Sequence, residues 1–183
     1  MKDLKDLSLE ELWQLFPIEL VKHKNIWKEQ FNRESELLKK HFINLNIKSI
    51  EHIGSTALPD IYAKDIVDVL VLFNEYSLDE AILRLTKKGY ILMNQTETRA
   101  TLNKGYTISG FAEEVFHIHL RIKDDAPEIF FRDYLLTDLE ARKKYEAFKL
   151  DLAKKYKHHR DNYTDNKTDF ISYYTNLGKE NIK

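Results

Sequence analysis

The sequence predicts an α+β fold in which a small central sheet is flanked by helices. Two observations support this prediction. Apolar residues recur at helical spacing before residue 45 and after residue 127, whereas the region between them contains the short apolar or alternating runs that are typical of strands. The predicted order is helix, strand, turn, strand, helix, strands and helices, which is that of an α+β or α/β arrangement with a small sheet.

Two N-terminal helices are predicted between about residues 8 and 45. Ser8 followed by Glu11 matches a capping box, in which each side chain caps the backbone of the other residue. Pro17 interrupts the helical pattern, so the second helix is predicted over about residues 18–45.

Strands are predicted in the middle of the chain. The first two cover residues 48–53 and 65–73, and a helix over residues 78–88 follows them and ends at Gly89 as a left-handed stop. Four shorter runs, separated by polar residues and glycines, predict a mixed or antiparallel extension of the sheet. These runs are residues 90–93, 99–102, 106–109 and 115–122.

The C-terminal part, about residues 127–183, is predicted to be helical. Long helices are expected over residues 139–156 and 168–177, with a polar connecting stretch over residues 160–167. Because single domains commonly contain roughly 100–200 residues, the 183 residues are interpreted as one domain, residues 1–183.

Composition excludes several classes of protein. The 29 basic and 30 acidic side chains give a formal net charge of −1, so no global field favours a nucleic acid or an anionic membrane as partner. The chain has no cysteine, which excludes disulfides, thiolate metal sites and cysteine nucleophiles. The N-terminus lacks the apolar segment of a signal peptide, and the longest apolar run is far shorter than the ~20 residues that a membrane helix needs. We therefore expect a cytoplasmic protein.

A glycine turn between the first two strands is the strongest functional signal. In Gly54-Ser55-Thr56 the glycine permits a tight turn and close approach of an anion, and the following hydroxyl and amide groups can donate hydrogen bonds to it. The turn therefore predicts a phosphate site, although a simple polar strand end would give the same short pattern.

Asp68 is the single acid in the apolar run 66–73. An unpaired carboxylate in a strand buried on both faces is costly, so something must compensate it. Two interpretations are open: a structural aspartate satisfied by hydrogen bonds, or a ligand of Mg²⁺ or Mn²⁺ beside a bound phosphate.

The last predicted strand carries two histidines on one face. Because side chains alternate along a strand, His117, His119 and Arg121 point one way and the apolar residues between them the other. The imidazoles could share a metal ion or bind an anion together with Arg121, and an exposed polar face would explain the alternation equally well.

Further charged residues lie nearby in sequence. Lys64 would share a face with Asp68 on a regular strand, where it would pair with the carboxylate or contact a phosphate. Asp65 would take the opposite face and is interpreted as a surface residue or strand cap unless a bulge reverses it. The basic cluster at residues 154–160 is a candidate phosphate or nucleic-acid patch, but a solvated helix end is the favoured interpretation.

Seven segments form a recognisable series along the chain: EHIGSTALP at 51–59, AK at 63–64, IVDVLV at 66–71, FHIHL at 116–120, FRDYL at 131–135, YEAFK at 145–149 and YTDNK at 163–167. Together they resemble the GrpB family, whose fold is similar to that of the DNA polymerase β nucleotidyltransferases. The likeness extends from about residue 25 to the end of the chain, in the expected order.

The resemblance implies that Gly54 and Ser55 bind the phosphates of a nucleotide and that Asp68 is a metal ligand. Other candidates for phosphate binding also stand in or beside the matching segments; they are Thr56, Lys64, Arg121, Arg132 and Lys167. The chain departs from the full nucleotidyltransferase pattern. Asp68 lacks the usual second acid two residues away, and a histidine, His117 or His119, stands where a third acid is expected.

The resulting hypothesis is a metal-dependent, nucleotidyltransferase-like protein that binds a nucleotide or another phosphorylated small molecule. Asp68, His117 and His119 would be its catalytic residues and the ligands of Mg²⁺ or Mn²⁺, and an active protein would transfer a nucleotidyl group to a hydroxyl acceptor. The missing acids support an alternative, a catalytically inactive module of the same fold that senses a ligand or binds a protein. Nucleic-acid binding through the cluster at residues 154–160 is the weakest of the three hypotheses.

Overall fold

The computed structural model describes residues 4–122 and 126–181. Its helices and strands, in chain order, are α1 Leu9–Leu15, α2 Ile26–His41, β1 Ile47–Ile53, β2 Val67–Phe73, α3 Leu78–Thr86, β3 Ile91–Gln95, β4 Arg99–Thr107, β5 Gly110–Ile122, α4 Pro127–Thr137, α5 Leu139–Lys155, α6 Arg160–Asp165 and α7 Thr168–Glu180. In the described ranges no helix combines the length and the apolar composition that crossing a membrane requires.

The five strands form one mixed sheet in the order β1-β2-β5-β4-β3. The central pair, β2 and β5, is parallel, and the other neighbouring pairs are antiparallel. The predicted α+β class, with a small mixed sheet and flanking helices, is confirmed. The register of the parallel pair places Asp68 directly opposite His117.

The two faces of the central strands have different environments. On one face, alternate residues of β2 and β5 join a large apolar core with α2 and α3. These residues are Val67, Val69, Val71, Phe73, Phe116, Ile118, Leu120 and Ile122. On the other face, Leu70 and Leu72 pack with Ile53 and Ala126 in a smaller cluster. Asp68, His117 and His119 lie on this second face because side chains alternate.

The N-terminal region differs from the prediction in one respect. The capping box at Ser8 and Glu11 is confirmed, but α2 begins at Ile26 rather than near residue 18. The preceding segment is held by tertiary contacts instead, since Val21 exchanges backbone hydrogen bonds of 2.8 and 3.0 Å with Ala63. Those bonds use backbone groups that a longer helix would need.

Two further boundaries were wrong. Residues 99–102 and 106–109, predicted as separate strands, belong largely to the single strand β4, in which Gly105 at φ +88° forms a bulge. A Cβ at Gly105 would lie 2.3 Å from the carbonyl oxygen of Glu114, so only glycine fits there. The stretch 160–167, predicted as a polar connection, contains the short helix α6.

Candidate functional site

The turn after β1 lies against the carboxylate of Asp68. Gly54 has φ +71° and ψ −169°, a backbone conformation that is essentially restricted to glycine. A Cβ on Gly54 would lie 2.4 Å from Oδ2 of Asp68, so the missing side chain is also what allows this close approach. The pairing of Ile53 with Asp68 across β1 and β2 holds the two in place.

Two imidazoles converge on the other oxygen of Asp68. Oδ1 lies 3.0 Å from Nε2 of His119 and 3.3 Å from Nδ1 of His117. Burial tends to raise the pKa of Asp68, but the hydrogen bonds from His117 and His119 outweigh it and hold that pKa well below its usual range. The carboxylate is therefore ionised at neutral pH, and 24% of its side chain remains exposed to a ligand from solution.

A hydrogen-bonded chain fixes the orientation of His117. Arg160 donates to the Tyr106 hydroxyl at 2.7 Å, and this hydroxyl lies 2.8 Å from Nε2 of His117. Burial lowers the pKa of His117 to about 4, only partly offset by its bond to Asp68, so its ring is neutral at pH 7. Because ionised Asp68 can only accept, we assign the ring proton to Nδ1 and the Tyr106 hydroxyl as donor to Nε2.

Cationic side chains surround this carboxylate. Burial, followed by repulsion from Arg160 and Lys167, lowers the pKa of Lys64 well below its usual value. Burial likewise lowers the pKa of Lys167 to about 8 and that of Lys149 to about 7. These three lysines, Arg160 and Asp68 belong to one set of electrostatically interacting groups, so basic side chains outnumber acidic ones around this carboxylate.

Two lysines of this group, Lys64 and Lys167, lack acidic partners. The ammonium groups of Lys64 and Lys167 lie 5.7 and 4.4 Å from the ring centroid of Tyr163. Within residues 4–122 and 126–181, neither ammonium forms an ion pair. Clustered cations without counter-charges are stabilised by a bound anion, so this arrangement suits a ligand with several negatively charged oxygens.

The donor groups also fit a metal ion. One carboxylate oxygen of Asp68 and one nitrogen each from His117 and His119 lie within 4.8 Å of one another. Carboxylate oxygens and neutral imidazoles are ordinary ligands of divalent metals, and three protein ligands leave coordination positions for a substrate.

A family model described as GrpB protein matches residues 17–176. The chain belongs to the GrpB family. The Glutamate-rich protein GrpB of Alkalihalophilus pseudofirmus is 31% identical over 159 residues, which cover 83% of this chain and 90% of that protein. The UPF0157 protein YqkA of Bacillus subtilis is 27% identical over 97% of this chain, but the match covers only 50% of YqkA.

A solved structure of the GrpB family has a similar architecture. The crystal structure of the conserved protein GrpB from Enterococcus faecalis has a TM-score of 0.77 and 26% identity, and the match covers 90% of this chain and 100% of that one. Cid1 poly(U) polymerase is a weaker match, with a TM-score of 0.47 and 11% identity over 79% of this chain and 44% of Cid1.

The structure brings most of the residues predicted from the sequence into one region of this GrpB-family protein. These residues are Gly54, Ser55, Lys64, Asp68, His117, His119 and Lys167. Ser55 lies at the edge of the group, where its hydroxyl is 3.4 Å from that of Tyr145.

Three predicted phosphate-binding side chains are held by protein partners instead. The hydroxyl of Thr56 is buried and lies 3.0 Å from Nε2 of His52. The buried guanidinium of Arg121 donates to Glu128 at 2.7 Å, and that of Arg132 donates to Glu51 at 3.0 Å and to Asp133 at 2.7 Å. The charges of both arginines already face carboxylates and the Thr56 hydroxyl already has a partner, so we leave the three out of the proposed site.

Sequence reasoning missed four residues of this region. Tyr106, Tyr145 and Lys149 were not singled out, and Arg160 was interpreted as part of a solvated helix end. Tyr106 lies on β4 directly after the Gly105 bulge. The prediction divided β4 into two strands at this point, so it did not show which face of the sheet Tyr106 shares with the rest of β4. Arg160 reaches Tyr106 because α6 lies close to β4 in the folded chain. Local sequence contains no signal for this long-range arrangement.

Proposed function

We propose that this protein binds a nucleotide or another phosphorylated small molecule at the Gly54 turn, beside a divalent metal ion, and acts as a nucleotidyltransferase. The observation that supports this most strongly is the group of basic side chains, Lys64, Arg160 and Lys167, around the carboxylate of Asp68. Inorganic anions and phosphates are the ligands that such a group recognises.

Each residue has a role in the proposal. The backbone N–H groups after Gly54 and the Ser55 hydroxyl would donate to phosphate oxygens, and Lys64 and Lys167 would neutralise their charge. Asp68, His117 and His119 would hold the metal, which is Mg²⁺ or Mn²⁺ in the hypothesis drawn from sequence. When bound, the metal would offset negative charge on the reacting phosphate.

The proposed reaction is transfer of a nucleotidyl group to a hydroxyl. The acceptor oxygen forms a bond to the α-phosphorus, the bond from that phosphorus to the oxygen bridging to the β-phosphate breaks, and pyrophosphate leaves with that bonding pair. The hydroxyl proton passes to solvent. The depressed pKa of Asp68 makes it a weak base, so its role is to bind and position rather than to accept this proton.

One observation favours a second candidate, an inactive module that keeps the ligand site but not the reaction. The positions two residues before and after Asp68 hold Ile66 and Leu70, which are both buried in apolar surroundings. A single strand carboxylate gives fewer metal contacts than two-metal phosphoryl transfer uses. Release of pyrophosphate from a nucleoside triphosphate, in the presence of hydroxyl acceptors, separates the two candidates.

We propose a small-molecule ligand rather than a nucleic acid, because Arg160, one residue of the basic cluster at 154–160, donates to Tyr106 within the site instead of standing free on the surface. We also propose that the protein acts in the cytoplasm.

Calorimetric titration with nucleoside triphosphates and Mn²⁺ or Mg²⁺ tests the binding. The double variant Lys64→Met, Lys167→Met should bind at least about tenfold more weakly, because two charge-assisted contacts are lost. Asp68→Ala should abolish the dependence of binding on the metal.

A matched control separates these effects from a change in net charge. Lys39→Met, Lys144→Met also removes two positive charges, but from exposed lysines paired with Glu36 and Glu140. Its affinity should equal that of the wild type. Equal loss in both double variants, or unchanged binding in Asp68→Ala, would contradict the proposed site.

A further inference from the structure

We infer that the metal position at Asp68 selects a transition-metal ion that accepts imidazole nitrogen, such as Mn²⁺, Co²⁺ or Zn²⁺, over Mg²⁺. The inference rests on the proposed function, because it concerns the same site and specifies the class of ion held there. Four features of the described residues support it.

The first feature is the chemistry of the donor atoms. Two of the three convergent ligand atoms are imidazole nitrogens, from His117 and His119, and one is an oxygen, from Asp68. Mg²⁺ strongly prefers oxygen ligands in a near-octahedral arrangement, whereas imidazole suits zinc and the other transition metals. The protein thus offers Mg²⁺ a single suitable ligand.

The second feature is that neighbouring acids are engaged elsewhere. Three carboxylates on segments adjoining the site are each held by another group: Glu51 by Arg132, Asp65 by the indole of Trp27, and Glu146 by the backbone N–H of Tyr62. Recruiting any of them to complete an oxygen cage would compete with an existing contact. The two histidines therefore remain the principal ligands.

The third feature is electrostatic. Lys64, Arg160 and Lys167 repel any divalent cation at Asp68, since each of them carries or can carry a positive charge. Mg²⁺ is attracted mainly by charge, so this repulsion offsets most of its attraction to the Asp68 carboxylate. An ion that also forms strong bonds to nitrogen retains affinity.

The fourth feature is the partner of His117 on its far side. For Nδ1 to bind a metal, the ring proton must move to Nε2, which lies 2.8 Å from the Tyr106 hydroxyl. That hydroxyl can accept as well as donate, and Arg160 already donates to its other lone pair. Tyr106 is thus a positioning residue that can satisfy either tautomer, as metal-bound histidines generally require.

Metal titrations of the full chain, without any phosphate ligand, test the inference. After treatment with a chelator, the protein is titrated separately with Mg²⁺, Mn²⁺, Co²⁺ and Zn²⁺ at near-neutral pH in a calorimeter. We expect Co²⁺ and Zn²⁺ to bind at least about 100-fold more tightly than Mg²⁺. The affinity for Mn²⁺ should lie between that for Mg²⁺ and that for Co²⁺. Mg²⁺ binding within about tenfold of Co²⁺ would overturn the inference without the use of any variant.

Variants locate the bound ion. His117→Gln and His119→Gln should each weaken Co²⁺ binding and alter its visible absorption, and Tyr106→Phe should weaken it about tenfold and shift the same bands. His41→Gln, a control on α2 far along the chain from these ligands, should change neither. Co²⁺ binding that survives in both variants of the ligand histidines would show attachment to other histidines and refute the site.

A parallel titration with inorganic triphosphate, both with and without Mg²⁺, keeps the two proposals separable. Normal triphosphate binding without selective Co²⁺ binding would remove only the metal inference. Selective Co²⁺ binding without triphosphate binding would instead contradict the proposed function and leave the class of metal supported.

Discussion

Gly54 is the residue whose identity the site depends on most directly. Its positive φ and the 2.4 Å distance from an ideal Cβ to Oδ2 of Asp68 are two separate reasons for glycine at this position. One is a backbone requirement, and the other is the space occupied by a functional carboxylate. A substitution here therefore tests both the turn and the position of Asp68.

We predict that Gly54→Ala destabilises the protein by about 3 kcal/mol, from backbone strain together with displacement of the Asp68 carboxylate. Gly89→Ala is the matched control, because Gly89 has a similarly positive φ of +86° but nothing within 4 Å of an added Cβ. The control should lose only about 1 kcal/mol. Urea unfolding measures both, and equal losses would show that the contact with Asp68 has no energetic effect.

At the scale of elements, the approach of α2 to the start of β2 depends on Asp65. Trp27 on α2 is completely buried, and its indole N–H donates to Oδ1 of Asp65 at 2.6 Å. Lys24 contacts Oδ2 of the same carboxylate, but both partners of that ion pair are nearly half exposed. The indole contact therefore accounts for most of the stabilisation.

Asp65→Ala should accordingly reduce the free energy of unfolding by about 1–2 kcal/mol, because it leaves a buried indole N–H without an acceptor. Lys24→Met removes only the exposed ion pair and should cost less than about 0.5 kcal/mol. Chemical denaturation compares the two. Metal affinity should be unchanged in both variants, and a loss of Co²⁺ binding in Asp65→Ala would mean that Asp65, and not only Asp68, is a ligand.

The pairing of β2 with β5 is the second element-scale feature. In the parallel register Asp68 lies opposite His117, and His119 follows two residues along the same face. A slip of one residue would turn both imidazoles into the apolar core, where they would have no polar partners. The apolar residues between the histidines thus fix the site as firmly as the histidines themselves.

At the scale of the whole molecule, several lysine side chains are buried in the fold. Lys149 is the clearest case, since only 1% of the residue is exposed and its ammonium donates to the carbonyl oxygen of Tyr62 at 2.6 Å. Burial, together with repulsion from Lys167, lowers its pKa to about 7. In an unfolded chain the pKa of lysine is about 10.4.

This difference predicts a pH dependence of stability. Below pH 7 both states hold the proton and the full cost of burying the charge is present, whereas between about pH 7 and 10 only the unfolded state keeps the proton, so stability rises with pH. The variant Lys149→Met has no ionisable group at this position, so its stability lacks this contribution to the pH dependence. The stability of the wild type relative to the variant should therefore improve by roughly 3 kcal/mol over that range.

Urea unfolding of both proteins at a series of pH values measures this difference, and the tyrosines that titrate in the same range cancel because both proteins contain them. Parallel curves for the wild type and Lys149→Met would show that Lys149 keeps an ordinary pKa in the folded protein.

Much of the fold could be predicted from local pattern. The alternation in residues 115–122 predicted which side chains of β5 enter the core, and Ser8 with Glu11 predicted the start of α1. The start of α2 was wrong because Val21 pairs with Ala63, a residue more than forty positions away. Helical periodicity contains no information about such a partner.

For the site, the sequence by itself determined the chemical groups: a glycine turn, one acid in an apolar strand, and two histidines on one face of another. Only the tertiary structure decided that β2 and β5 are neighbours, that Oδ1 of Asp68 receives both imidazoles, and that Arg160 reaches Tyr106 from α6. The physical reason is that residue type and spacing fix the direction of a side chain within its own element. The register between strands and the docking of helices depend on packing over the entire chain.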